Sequence, residues 1–222
     1  SNTIMEPEFY KMIPPNLTVH TTRIFLAEVK YEAWMIMNQE IERASEYLAT
    51  AEVDMILFAC TGASFAKPGY DGEIIERIKK ATNIKATTTS TAILGALNEL
   101  NVKNLSLATP YPLEVNLIAK NFLENNGIKV IVEKGLGIKN SAAIGRISSS
   151  SVYQLAVEVN RPEAEAILLS CTNLRTIDVI EKLETVINKP VISSNQASLW
   201  ASLRLLGIKH PIRNYGALLE RL

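Results

Sequence analysis

The stretch VDMILFACTGASF, residues 53–65, gives the clearest indication of how this chain folds. An almost uninterrupted apolar run ends at Cys60, and small residues follow at once. The stretch EAILLSCTNLRT, residues 165–176, repeats this arrangement in the second half of the chain. Strands that are covered on both faces are apolar without alternation, so each stretch predicts a buried strand of a parallel sheet.

Similar runs recur along the chain and extend this prediction. They predict six strands: Leu17–Phe25, Val53–Ala59, Leu105–Ala108, Ile128–Val132, Ala166–Ser170 and Val191–Ser193. Helical patterns fill the intervals: Glu32–Thr50, Thr89–Leu100, Pro112–Asn126, Ile147–Asn160, Thr176–Ile187 and Asn195–Leu206. Strands that alternate with helices predict the α/β class with a parallel, doubly wound sheet. Because such domains are expected to begin with a strand, either the fold begins unusually or a strand lies upstream of Ser1.

Composition excludes several classes of function. The 222 residues are 47% hydrophobic, enough for a substantial core, and contain 23 basic and 23 acidic side chains. A chain with no excess positive charge is not expected to bind nucleic acid or anionic lipid. Its longest apolar runs are far shorter than the roughly 20 residues that cross a bilayer. The first residues resemble no signal peptide, so we expect a cytoplasmic protein.

The residues that usually hold metals or cofactors are scarce. The chain has two cysteines and two histidines, without CxxC or HxxxH spacing, which makes a poor set of metal ligands. It also lacks a GxGxxG, Walker or HExxH motif. We therefore predict no metal and no cofactor.

Both cysteines directly follow a predicted strand. Ligands of open α/β sheets bind at the carboxyl ends of the strands, where loops and helix N-termini meet. A free thiol has a pKa near ~8.5, which a helix N-terminus or a cation lowers. Small neighbours would let backbone N–H groups close on an anion such as a substrate carboxylate: Thr61, Gly62, Ser64, Thr172 and Asn173. The alternatives are two buried cysteines that only pack, or a disulfide bond, which a reducing compartment disfavours.

Four motifs resemble a known family: CTGASF, TPYPLEVN, GIKNSAAIGRIS, and the stretch from LLSCTNLRT to NQASLWASLRLLGI. They are similar to the maleate cis-trans isomerase branch of the aspartate/glutamate racemase superfamily. The resemblance implies two pseudo-symmetric parallel-sheet α/β halves, with the active site between them and one catalytic cysteine from each half. We assign residues 1–105 and 200–222 to the first half and residues 106–199 to the second.

The resemblance also implies roles for individual residues. Cys60 would be the nucleophile, and Cys171 its partner in handling protons. Five residues would hold the carboxylates of the substrate: Asn2, Thr61, Tyr111, Asn140 and Thr172. Each has a structural alternative, because a tyrosine between prolines often only packs, an asparagine can serve its own turn, and threonines cap helices. Arg23, Arg146 and Arg175 could also meet a dicarboxylate, although solvent or interface roles fit their positions better.

The resemblance favours a cofactor-independent isomerase that converts a small cis-dicarboxylate such as maleate to its trans isomer. An amino-acid racemase of the aspartate/glutamate type is the main alternative, because two thiols can serve as opposed acid and base. Arylmalonate decarboxylase is a related branch that keeps only the second cysteine, so the pair favours an isomerase or a racemase. A non-catalytic dicarboxylate-binding protein is the third possibility. The expected partner is the small dicarboxylate, and the sequence leaves open whether the chain forms a homo-oligomer.

Overall fold

The computed structural model describes residues 1–222 and contains eleven α-helices and six β-strands. The helices are α1 Met5–Met12, α2 Tyr31–Met37, α3 Ile41–Ala49, α4 Thr61–Ser64, α5 Tyr70–Thr82, α6 Thr89–Glu99, α7 Leu113–Asn125, α8 Ser141–Ile144, α9 Ser149–Val159, α10 Ile177–Ile187 and α11 Ser194–Leu205. The strands are β1 Met55–Phe58, β2 Lys85–Thr88, β3 Asn104–Thr109, β4 Lys129–Gly135, β5 Ala166–Leu169 and β6 Val191–Ser193. None of the helices combines the length and apolar character needed to span a lipid bilayer.

The strands form two parallel sheets. β1 pairs with β2, and β4, β3, β5 and β6 form a four-stranded sheet in that order. Parallel neighbours need a crossover connection, and α5, α7 and α10 supply it between β1 and β2, β3 and β4, and β5 and β6. The chain is therefore an α/β protein with one parallel sheet in each half, which confirms the predicted fold class.

The two halves repeat one structural unit. In the first half, β1 is followed by Cys60, α5, β2 and α6; in the second, β5 is followed by Cys171, α10, β6 and α11. The last helix of each unit begins directly after its strand. The side chain of Thr88 accepts a hydrogen bond from the Thr91 N–H (3.1 Å), and that of Ser193 accepts one from the Gln196 N–H (3.1 Å). These N-caps start the two helices at equivalent positions.

The paired helices α6 and α11 join the halves. They pack against each other; α6 contacts β2 and β6, and α11 contacts β1, β2 and β6. At Gly95 of α6, an added methyl carbon would lie only 3.2 Å from the Trp200 ring of α11. One cluster of 54 buried residues runs through both halves, so the sheets share a single hydrophobic core. The boundaries that we assigned to the two halves stay a prediction.

Most of the predicted elements lie where the sequence indicates. The predicted strands from Val53 onward overlap β1, β3, β4, β5 and β6 to within a few residues at each end. The predicted helices after Thr89 coincide with α6, α7, α9, α10 and α11. The strand β2, Lys85–Thr88, was not predicted, because its sequence KATT has no apolar run.

The predicted strand Leu17–Phe25 is wrong. The segment forms no strand, although part of it faces inward: Leu17, Val19 and Ile24 are half-buried, and Phe25 is 84% exposed. The segment is therefore an extended chain lying on the protein. A strand also needs a neighbour for its backbone groups, and in this segment only the Leu17 N–H forms a backbone hydrogen bond, to the nearby Pro14 carbonyl.

The predicted helix Glu32–Thr50 is divided into α2 and α3. A short 3₁₀ turn, Asn38–Glu40, separates the two. The Asn38 carbonyl there accepts a hydrogen bond from Arg77 Nη2 (2.7 Å), which also donates to one carboxylate oxygen of Glu42, while Arg77 Nε donates to the other. The contact with α5 thus explains the tighter turn, which a helical pattern alone does not indicate.

Candidate active site

Cys60 lies two residues beyond the end of β1, at the N-terminal end of the short helix α4. Its side chain is partly exposed. The backbone N–H groups of Ala63 and Gly62 face the sulfur and act to lower the pKa of the thiol. The Ser64 hydroxyl donates to the Cys60 carbonyl (2.9 Å) and fixes the turn from behind. The loop therefore presents the thiol together with two hydrogen-bond donors.

Gly62 has no room for a side chain. A methyl carbon there would lie 2.3 Å from Cζ2 of Trp34, whose ring is fully buried. We expect Gly62→Ala to lower the free energy of unfolding by about 1–3 kcal/mol, because the indole must move within a packed core. Urea unfolding measures this loss.

Gly72→Ala is the matched control. Gly72 lies in α5 with nothing within 4 Å of an added methyl carbon. This variant should raise the free energy of unfolding by up to about 1 kcal/mol, because alanine favours a helix more than glycine does. If Gly62→Ala is as stable as Gly72→Ala, the close contact between Gly62 and Trp34 is wrong.

Cys171 occupies the equivalent position after β5. It is 6% exposed, and the backbone N–H of Asn173 donates to its sulfur at 3.4 Å. The N–H groups of Asn173 and Leu174 both act to lower the pKa of this thiol. In both loops, therefore, the second and third residues after the cysteine turn their N–H groups toward sulfur. Such groups favour a negative charge on the sulfur.

Burial opposes that effect at both sulfurs. It raises the pKa of the Cys60 thiol to about 12 and that of the Cys171 thiol to about 11. The neighbours act differently on the two thiols: the Tyr111 hydroxyl lowers the pKa of Cys171, whereas the neighbouring Cys171 raises the pKa of Cys60. Both thiols are therefore protonated at neutral pH.

Tyr111 connects the two loops. It is 3% exposed, and its hydroxyl lies beside the Cys171 thiol and the Thr61 side chain. Burial and the neighbouring Cys171 raise its pKa, so the phenol keeps its proton and can donate it in a hydrogen bond. The Thr61 hydroxyl donates to the Ser194 hydroxyl at 3.0 Å. The structure thus brings together Cys60, Cys171, Thr61 and Tyr111.

Asn2 and Thr172 form the next part of the same site. The Asn2 amide nitrogen donates to the Thr172 hydroxyl (3.0 Å), which in turn donates to the Ala59 carbonyl (3.3 Å). The Asn2 amide oxygen accepts from the N–H groups of Ile4 and Met5, both at 3.0 Å. Arg23 donates to the Asn2 carbonyl (2.6 Å), so it holds the turn that positions Asn2. One hydrogen of the Asn2 amide group remains for a ligand.

Asn140 lies apart from these side chains. Its amide oxygen accepts from the Ala143 N–H (2.8 Å) and caps α8, and its backbone forms a bridge with Glu28. Asn140 is exposed and does not line the cavity that contains the cysteines, whereas the next residue, Ser141, does. The role of Asn140 as a carboxylate ligand therefore stays a prediction.

The site residues share one cavity of about 480 Å³. Cys60, Cys171, Asn2, Thr61, Tyr111 and Thr172 all line it. Beyond these residues it continues along β1 between α3, α11 and the extended segment 16–26, where its walls are largely apolar. The polar end of the cavity thus contains two thiols and several hydrogen-bond donors, a set suited to thiol chemistry on a small anion.

Three residues that support this site were not predicted from the sequence: Asn195, Ser194 and Glu8. The Asn195 amide donates to the Thr172 carbonyl (3.1 Å) and to the Glu8 carboxylate (2.6 Å). Nothing near Glu8 in the sequence points to partners that lie more than 160 residues away.

The chain is similar to known enzymes. A sequence model of the arylmalonate decarboxylase family matches residues 3–219. A maleate isomerase of Pseudomonas putida is 26% identical over 234 residues, covering 99% of this chain and 94% of that protein. An arylmalonate decarboxylase of Bordetella bronchiseptica is 28% identical over 196 residues, covering 87% and 82%. A Nocardia farcinica maleate cis-trans isomerase, solved with a covalently bound succinylcysteine intermediate, has a TM-score of 0.96 at 22% identity and coverages of 100% and 95%.

Proposed function

This chain belongs to the arylmalonate decarboxylase family, and from that premise we propose that it is a cofactor-independent isomerase of a small cis-dicarboxylate. The substrate class is maleate and its close analogues, which the enzyme converts to the trans isomer. Two relatives support an enzyme of this family, and the maleate isomerase among them covers almost the whole chain. The two cysteines and the donors around them support the choice of isomerisation.

The observation that carries the proposal is the matched pair of thiols at one cavity. Cys60 and Cys171 follow equivalent strands, and each faces two backbone N–H groups of its own loop. A single cysteine would suffice for packing or for binding an anion. Two thiols beside each other can divide the work, because one can add to carbon while the other moves a proton.

The reaction then proceeds by reversible addition. The Cys60 thiol first gives its proton to solvent. The resulting thiolate forms a bond with one alkene carbon, and the π electrons move to the other carbon, where the neighbouring carboxylate stabilises them. The Cys171 thiol gives its proton to that carbon, leaving a single bond that can rotate. After rotation, the Cys171 thiolate takes a proton back and the bond to the Cys60 sulfur breaks. The double bond returns in the trans geometry, and both sulfurs regain their starting states.

Hydrogen-bond donors would hold the two carboxylates during these steps. We assign this role to Asn2, Thr61, Tyr111, Thr172 and Asn140. Tyr111 suits the charge that develops in the intermediate, because it is neutral, buried and placed beside the reacting sulfurs. For Asn140 to take part, its amide must turn from the α8 cap toward the cavity.

Proton NMR tests the function directly. We expect the purified protein, incubated with maleate, to replace the maleate vinyl signal with that of fumarate, and a sample without protein to show no change. A folded protein that leaves maleate and its alkyl-substituted analogues unchanged would disprove the proposal. In deuterated buffer, an amino-acid racemase would instead exchange the α-proton of aspartate or glutamate.

Decarboxylation is the second candidate, favoured by the family match and by the 28% identical arylmalonate decarboxylase. Cys171 would then protonate the carbanion left by loss of carbon dioxide, and Cys60 would have no covalent role. Phenylmalonate distinguishes the two reactions. Its conversion to phenylacetate without any isomerisation of maleate would favour the decarboxylase.

The pH dependence of turnover follows from the raised pKa values of the thiols. At pH values below the pKa, the thiolate fraction rises tenfold for each unit of pH. Because the pKa values are about 12 and 11, kcat/KM should rise with a slope near one between pH 7 and about 9. Initial rates with maleate measure this profile. A plateau that begins below pH 8 would show that a thiolate already exists in the free enzyme at neutral pH.

A further inference from the structure

Glu8 is a buried carboxylate that the proposed reaction does not use. It lies in α1 and is 4% exposed. One carboxylate oxygen accepts from the N–H groups of Thr176 (2.6 Å) and Ile177 (3.2 Å), and the other from the Thr176 hydroxyl (3.1 Å) and the Asn195 amide (2.6 Å). Burial raises the pKa of Glu8, and these hydrogen bonds oppose the rise. Every group that faces it is a donor.

These contacts join Glu8 to the loop that carries Cys171. Thr176 and Ile177 form the start of α10, directly after that loop. The same Asn195 nitrogen that donates to Glu8 also donates to the Thr172 carbonyl (3.1 Å). Asn2, three residues before the start of α1, donates to the Thr172 hydroxyl. The N-terminal segment 2–12 therefore fixes Thr172 at two points, directly through Asn2 and indirectly through Glu8.

The equivalent loop of the first half is held without a charge. There the Ser90 hydroxyl donates to the Thr61 carbonyl (3.2 Å), as Asn195 does to the Thr172 carbonyl. Ser90 shares its other hydrogen bond with the Ser64 hydroxyl (2.6 Å). The two halves thus support their cysteine loops at the same place, but only the second half uses a carboxylate.

We propose that Glu8 is a positioning residue for the loop that carries Cys171, acting through Asn195 and the first turn of α10. Its carboxylate is matched to four donors, whereas a glutamine would offer one acceptor oxygen and would turn an NH₂ group toward other donors. Without the carboxylate, the loop moves and the Asn173 N–H no longer faces the Cys171 sulfur as closely. Only the turnover part of this inference rests on the proposed function.

The test compares Glu8→Gln with Glu184→Gln. Glu184 is half-buried and accepts hydrogen bonds from two backbone N–H groups, those of Val191 (2.8 Å) and Ala217 (2.9 Å), but it does not line the cavity of the thiols. Iodoacetamide labelling over a range of pH, read by peptide mass spectrometry, gives the alkylation rate and apparent pKa of each cysteine separately. Urea unfolding reports stability in the same samples.

In Glu8→Gln we expect iodoacetamide to alkylate Cys171 about tenfold more slowly at a given pH, with the apparent pKa of Cys171 displaced upward. The reason is that the Cys171 thiolate loses the charge-assisted hydrogen bond from the Asn173 N–H. The alkylation rate of Cys60 should stay within twofold of its value in the wild type. If the wild type isomerises maleate, kcat should fall about 100-fold, the cost of misplacing a reacting group by about 1 Å. Glu184→Gln should lower the free energy of unfolding and leave the alkylation rates and apparent pKa values of both cysteines unchanged.

Asn195→Ser provides a second route to the same result. It installs the residue type that Ser90 has in the first half and breaks the link to Glu8 while leaving the carboxylate in place. This variant should also slow the alkylation of Cys171 without slowing that of Cys60. The inference fails if Glu8→Gln affects both cysteines equally, affects neither, or behaves as Glu184→Gln does. A wild type that does not isomerise maleate would disprove the proposed function, but the labelling result would still decide the role of Glu8.

Discussion

Replacing Cys60 with alanine is expected to abolish the isomerisation of maleate, lowering kcat by at least about 10⁴-fold. The cause is the loss of the only group that we assign to bond formation with the alkene, since without the covalent adduct the double bond cannot rotate. Alanine is close in size and Cys60 is partly exposed, so the fold should tolerate the change. Fumarate formation followed by proton NMR over a long incubation measures the remaining rate.

Labelling of Cys171 serves as the control for this variant. If the cleft is intact, iodoacetamide should modify one thiol in Cys60→Ala rather than two, at a rate within a few-fold of that in the wild type. Turnover within tenfold of the wild-type value would show that Cys60 is not the nucleophile. A decarboxylase activity that survives the change while maleate isomerisation is lost would separate these two candidate reactions.

Replacing Cys171 with serine is expected to lower turnover by about 10²–10⁴-fold and to trap substrate on Cys60. A serine hydroxyl is far less acidic than a thiol and its oxygen is a poor base toward carbon, so the proton steps slow while addition remains possible. Intact-mass spectrometry after mixing with maleate should show the mass of one added maleic acid, and peptide mapping should place it at Cys60.

The reverse variant, Cys60→Ser, is the matched comparison and should show no adduct. An adduct on Cys171 in that protein would show that Cys171 is the nucleophile and Cys60 the residue that moves the proton. If neither variant traps substrate and both lose activity equally, the thiols act as a symmetric acid and base, as the racemase alternative requires.

The elements that the sequence predicts well are those whose cause is local. Ala166–Leu169 and Val191–Ser193 are strands buried on both faces, and an apolar run is sufficient to indicate this. The short strand Lys85–Thr88 was missed, because its threonines are buried by tertiary contacts rather than selected for apolar character. Leu17–Phe25 shows the converse error, since its apolar and β-branched residues fit an extended chain but do not indicate whether a partner strand lies beside it.

In the candidate site, too, the residues placed by local sequence are predicted, and those placed by tertiary packing are not. The two Cys-Thr pairs follow buried strands, so their place at one edge of the sheets follows from the general behaviour of parallel strands. The position of Tyr111 between both loops also depends on how the halves pack, and the resemblance alone indicated it. Glu8 had no sequence signal, because one acidic residue in a short amphipathic helix does not reveal donors at Thr176 and Asn195.

The contact between α6 and α11 has a consequence for how such a catalyst adapts to new substrates. Each sulfur follows a strand of a different sheet, and these two helices set how the sheets sit relative to each other. The gap between the reacting atoms is therefore governed by side-chain volumes deep inside the protein, such as the indole of Trp200 against Gly95. A change of volume at this buried seam, far from any ligand, would alter the length of molecule that fits between the two sulfurs.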